Sequence, residues 1–116
     1  MLNQVVMVGR LTKDPEITKS DKGKEYSHVT LAIPRSFKNA DGEYDTDFIR
    51  CTLWEGTAQN TAHFCKKGDI IGVKGRIQSS NFEKEGEKKS VIDIIAEKVT
   101  FLSSNHDKEK KQKVQA

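Results

Sequence analysis

No stretch constrains this chain more than Phe48-Ile49-Arg50-Cys51-Thr52-Leu53-Trp54. On an extended chain successive side chains point to opposite faces. Ile49, Cys51 and Leu53 then form one uniformly apolar face, suited to a core, while Phe48, Arg50, Thr52 and Trp54 form the other. Two aromatic rings around a guanidinium make neither an ordinary solvated surface nor a second core. Exposing them is costly unless something planar and anionic docks there. An unpaired nucleic-acid strand fits, because bases offer π-faces and phosphates offer charge. The alternative is that Phe48 and Trp54 pack beneath a loop or a partner subunit.

At 116 residues the chain has room for one domain with a single modest core. Only 34% of its residues are hydrophobic and 32% are charged, so the surface is heavily solvated. No apolar run approaches membrane-spanning length and no basic-then-apolar leader opens the chain. These features predict a cytoplasmic protein that makes no use of membrane. Cys51 and Cys65 match no zinc spacing and read as buried hydrophobes in a reducing compartment. The net charge of +3 is a weak guide. Lys108, Lys110, Lys111 and Lys113 against Asp107 and Glu109 account for +2, which leaves +1 for residues 1–102. Any nucleic-acid role has to rest on where the cations sit.

Residues 3–11 are β-rich and nearly continuously apolar, ending near Asp14-Pro15, so this strand is expected to be covered on both faces, in part by another subunit. A polar turn at Asp21-Lys22-Gly23-Lys24 leads into Tyr26 to Ile33, where Val29, Leu31 and Ile33 alternate with His28, Thr30 and Ala32. Pro34 marks an end, bulge or edge. Arg35, Phe37 and Lys38 follow, again an aromatic flanked by cations, and Asn39-Ala40-Asp41-Gly42 turns the chain back into the opening strand. Residues 56–67 read as one short amphipathic helix, with Ala58, Ala62 and Cys65 inward, Lys66 and Lys67 at its C-terminal end and Gly68 as its left-handed exit. In the next strand Ile71, Val73, Gly75 and Ile77 share one face, and Lys74, Arg76 and Gln78 the other. Phe82 stands among polar residues before a turn at 83–87, and on spacing alone it fits a satellite contact under a hairpin equally well. Val91–Ile95 and Val99–Leu102 close the domain, and 103–116 read as a disordered polar and basic tail. Five principal strands with one short helix between the third and fourth fit an all-β, five-stranded Greek-key barrel of the oligonucleotide-binding (OB) type over residues 1–102.

With these residues in hand, the chain resembles the bacterial single-stranded-DNA-binding protein (SSB) family over residues 1–102. The likeness is carried by Asn3 to Leu11 with Asp14-Pro15, by Leu31-Ala32, and by Arg35-Ser36-Phe37-Lys38. Asp47-Phe48 through Leu53-Trp54, Ala58 to Gly68, and Val73-Lys74-Gly75-Arg76 complete it, all in the same order. The resemblance implies base stacking at four aromatic positions, which fall here on Phe37, Phe48, Trp54 and Phe82; only the resemblance promotes Phe82. It also implies a homotetramer with single-stranded DNA wrapped around it. Arg35, Lys38, Arg50, Lys74 and Arg76, with Arg10 at the end of the first strand, are the expected phosphate partners. Members that recruit other proteins end in an acidic segment with an apolar tip, and this chain ends Lys113-Val114-Gln115-Ala116, so recruitment by that route is not expected. The short form resembles accessory paralogues of transformable or Gram-positive bacteria, or a phage or plasmid version.

An enzyme is the first rival class. His28, His63 and His106 are scattered without metal-ligand spacing, no glycine loop cradles phosphate, and Ser27 and Ser36 have no patterned base, so no cofactor, metal or catalytic residue is expected. A primosome-type OB module that binds DNA and partner proteins, and an RNA-binding OB protein, remain alternatives. Stacking platforms do not reject ribose, and the preference for DNA comes from the resemblance.

Overall fold

A computed structural model of the chain describes residues 1–103. Six strands and one helix are seen there: β1 (Val5–Leu11), β2 (Thr18–Lys19), β3 (Glu25–Lys38), β4 (Tyr44–Trp54), α1 (Glu55–Phe64), β5 (Ile70–Lys84) and β6 (Glu87–Ser103). β1 pairs antiparallel with β5 from Val5 to Arg10, and its end also reaches β3 through Arg10↔Ala32 and Leu11↔Leu31. With β3–β4, β4–β6 and β5–β6 paired as well, the strands close into a barrel in the order β1-β5-β6-β4-β3. The β4–β6 contact is parallel, through Cys51↔Ile94 and Thr52↔Ile95. A parallel contact needs a crossover, and α1 with β5 supplies it. This is the expected five-stranded OB barrel, with the helix between its third and fourth strands; the two-residue β2, paired to β3, is an addition.

The barrel closes because the alternation holds. Leu11, Val29, Leu31, Cys51, Leu53, Ile71 and Val73 are buried, together with Ala58 of α1, Cys65 and Ala96. Each fully buried Leu, Ile or Val contributes about 1.5–3 kcal/mol relative to leaving it in water. Ile77 departs from the expected inward row and is 46% exposed, because β5 and β6 run past the barrel as a long hairpin arm. The two closing strands expected at Val91–Ile95 and Val99–Leu102 are one strand, β6. It is irregular where Lys74 pairs Lys98 and Gly75 pairs Ala96, leaving Glu97 as the extra residue. The hairpin tip narrows to Glu85 and Gly86, at φ 54° and 80°, and two residues at positive φ suit the twist of the flanking strands.

α1 is shorter than the helix expected over 56–67. It buries Ala58 and Thr61 and ends at Phe64. Lys66 and Lys67 lie in the following turn, which Gly68 leaves at φ 93°. That turn is tied to the end of β1: Leu11 N–H donates to the Asp69 carbonyl (2.8 Å) and Gly68 N–H to the Leu11 carbonyl (2.9 Å). Lys67 N–H adds a bond to Asp14 Oδ1 (2.7 Å). At the other end of β1, Asn3 continues the ladder with its side chain, donating to the Ile77 carbonyl (2.7 Å) and accepting from the Ile77 N–H (2.8 Å). The outer face of β1 is bare in the single chain, with Val6 71% and Val8 52% exposed. The reading of a disordered tail falls, apart from Ser103, outside the described residues.

Candidate nucleic-acid interface

Register decides which side chains share the outer wall. Tyr26 pairs with Trp54, His28 with Thr52, Thr30 with Arg50 and Ala32 with Phe48, so these residues stand on the face of β3 and β4 turned away from the core. Phe48 is 66% exposed there. Trp54 is the extended residue at which β4 passes into α1, and it keeps 38% of its surface exposed. Its ring lies 5.1 Å from the Tyr26 ring, tilted by 44°. A hollow of about 480 Å³ opens beside it, lined by Trp54, Glu55 and residues of the Ser20–Lys24 turn. Neither aromatic is sealed beneath a loop of its own subunit.

The sequence pattern places Tyr26 and His28 on β3 but does not assign them to this wall. The signal for them was their parity with Thr30 on β3, but only the pairing register shows that this parity meets Trp54. The His28 ring stands edge-on to Tyr26 at 5.1 Å. Its Nδ1 lies 3.0 Å from Thr52 Oγ1, and the Thr52 hydroxyl donates to Asp93 Oδ2 at 2.6 Å. Asp93 Oδ1 accepts from the Ile94 N–H (3.0 Å). Thr52, although on the outer face, is buried beneath these contacts.

The expected cations divide. Arg50 carries no ion pair or side-chain hydrogen bond among the described residues, and neither does Lys74. Arg76 donates to Gln78 Oε1 (2.7 Å) on its own face, and among the described residues no carboxylate holds it. Arg35 is occupied: Nη2 donates to Asp47 Oδ1 at 3.0 Å, Nε to Asp47 Oδ2 at 3.2 Å, and Asp45 lies 3.7 Å away. The hydrogen bonds and charge of Asp47 hold the Arg35 guanidinium above its ordinary pKa, and Arg35 in turn holds the Asp47 carboxyl below the usual range. Arg10 braces the turn after α1, donating to the Gly68 carbonyl at 2.6 Å. Lys38 places Nζ 5.9 Å over the Tyr44 ring.

Phe82 gains a structural argument. β5 is continuous to Lys84, and its pairing with β6 is regular beyond Gly75, so Phe82 keeps the parity of Lys74, Arg76 and Gln78. It is 44% exposed beside a hollow of about 460 Å³ on the arm. Phe37 is 63% exposed within the irregular stretch between Pro34 and Lys38. Among the described residues no cluster of three or more His, Cys, Asp or Glu could hold a metal, and no helix is long and apolar enough to cross a membrane.

The model of the single-strand binding protein family matches residues 2–102, the whole barrel and its arm. The chain belongs to that family. It is 50% identical over 103 residues to the single-stranded DNA-binding protein B of Bacillus subtilis (strain 168), covering 88% of this chain and 91% of that one. The single-stranded DNA-binding protein 3 of Listeria innocua is 47% identical, over 92% of this chain and 68% of its own length. The single-stranded DNA-binding protein A of the same Bacillus strain is 48% identical, and there the match covers 88% of this chain and 60% of the relative.

Proposed function

We propose that this protein binds and protects single-stranded DNA without regard to sequence, in replication, recombination, repair or DNA uptake. The observation that carries the reading is the outer wall of β3 and β4, where Phe48 and Trp54 stay exposed on either side of Arg50, which has no ion pair among the described residues. Every base has a face to stack, and a duplex hides those faces, so such a wall selects unpaired strands with no base-edge contact. Arg50, Lys74 and Arg76 supply the charge, and each phosphate they neutralise makes affinity fall with salt. Phe82 extends the stacking surface along the arm and Phe37 along the β3–β4 hairpin. Family membership and the names of the relatives support DNA as the strand bound, and a homotetramer fits the bare outer face of β1. Linked barrels would then engage one strand at high effective concentration.

Titration with oligo-dT, matched duplex and oligo-U tests this. Oligo-dT is expected to bind tightest and to quench Trp54 emission, while duplex binds weakly. Trp54→Ala is expected to weaken oligo-dT binding by about 1–3 kcal/mol with melting still cooperative. Unquenched emission at saturation, or equal affinity for duplex, overturns the stacking wall, and a preference for oligo-U moves the protein to RNA.

A further inference from the structure

We infer that His28 is a DNA contact: its outward nitrogen, Nε2, shares a backbone phosphate with the Arg50 guanidinium, and strand binding takes up a proton there. The inference rests on the reading of this wall as the DNA track and adds a titrating group to it.

Proton counting fixes the ring. The Thr52 hydroxyl has one proton, and a carboxylate can only accept. At 2.6 Å from Asp93 Oδ2 that proton points to Asp93, so Thr52 must accept from His28 Nδ1–H at 3.0 Å. The chain therefore runs from His28 through Thr52 to Asp93. It holds the neutral imidazole with Nδ1 protonated and leaves Nε2 an open lone pair, with no partner among the described residues.

The charges around the ring point to an anion. Arg50 is its diagonal neighbour across the β3–β4 pair, since His28 lies opposite Thr52 and Thr30 opposite Arg50. Lys13, beyond the end of β1, also acts on it. Asp93 of β6 opposes the two cations, and Tyr26 is the other ring on its own strand. In the free protein, partial burial first and Arg50 next lower the His28 pKa below 6.5, with a smaller push from Lys13 and a contrary one from Asp93. A phosphate oxygen seated between Arg50 and Nε2 reverses this. It cancels the guanidinium's repulsion and accepts a hydrogen bond from Nε2–H. The proton comes from solvent, and no bond in the DNA is made or broken.

The sign follows from linkage. DNA raises the His28 pKa, so affinity increases as pH falls between the bound and free values, about tenfold for each unit of that rise. On the acid side the salt slope steepens by about one phosphate contact. The test measures oligo-dT affinity of the full chain from about pH 5 to 8 at several salt concentrations, for the unsubstituted protein, His28→Asn and His28→Lys. NMR titration of the His28 ring protons, with and without oligo-dT, accompanies it. The expected result is an acid-side gain that His28→Asn abolishes, a steeper salt slope at every pH in His28→Lys, and a ring pKa raised by DNA. An unaltered pH profile in His28→Asn, or a ring pKa not raised by DNA, overturns the inference. Trp54→Ala separates the two failures. If it leaves affinity unchanged, the wall and His28 fall together; if it weakens binding while His28→Asn keeps the full pH profile, only His28 falls.

Discussion

Arg35 and Arg50 stand on neighbouring strands with the same formal charge, yet among the described residues only Arg35 is held by a carboxylate. Asp47 holds Arg35 in a two-pronged grip and leaves Arg50 alone. The grip is solvent-exposed, so it steers the guanidinium more than it stabilises the fold. The Asp47 carboxyl is held below its ordinary range, so the pair persists at neutral pH and is lost only as pH falls through that lowered value. Arg50→Ala is expected to reduce the slope of log affinity against log salt by about one, and Arg35→Ala to change it much less. Equal losses would show that DNA displaces Asp47 from Arg35. Spacing alone could not separate the two arginines, because Asp47 and Arg35 lie 12 residues apart and meet only through the hairpin.

Among the elements, the β5–β6 pair builds the arm that carries Phe82. Gly75 sits at the irregularity, where a Cβ would run into the Ile95 carbonyl and crowd Ala96. The missing side chain lets the β5 and β6 backbones approach closely at that point. Gly75→Ala is expected to cost about 1–3 kcal/mol or more by overpacking against backbone, seen as a lowered midpoint in urea unfolding. An unchanged midpoint would mean that β6 relaxes freely at Glu97. The alternation of Ile71, Val73 and Gly75 against Lys74 and Arg76 was readable in the chain. The arm was not, because Ile77, Val91 and Ile92 look like core residues until the barrel is seen to close before reaching them. α1 ends earlier than the stripe predicts for a related reason. Cys65 is buried as a helical stripe requires, but it sits in the turn that Asp14 and Leu11 hold against β1.

At the scale of the molecule, the bare outer face of β1 bears on assembly. Val6 and Val8 expose apolar surface beside β5 in the single chain, and burying them against a second copy removes that surface from water. Val6→Asp with Val8→Asp is expected to yield monomers by light scattering at unchanged circular dichroism. Those monomers should bind long oligo-dT more weakly, because the linked sites are lost. An unaltered mass would place the subunit contact elsewhere.

The inward rows of the barrel up to Gly75, and the face of β4 that carries Phe48, Arg50 and Trp54, were determined by the sequence, because period-two alternation is a local property of the chain. Which cations remain free, where β5 leaves the barrel, and that Tyr26 and His28 join Trp54 were decided by the tertiary structure. Those facts depend on pairing register and on contacts between residues far apart in the chain, and alternation carries no information about either.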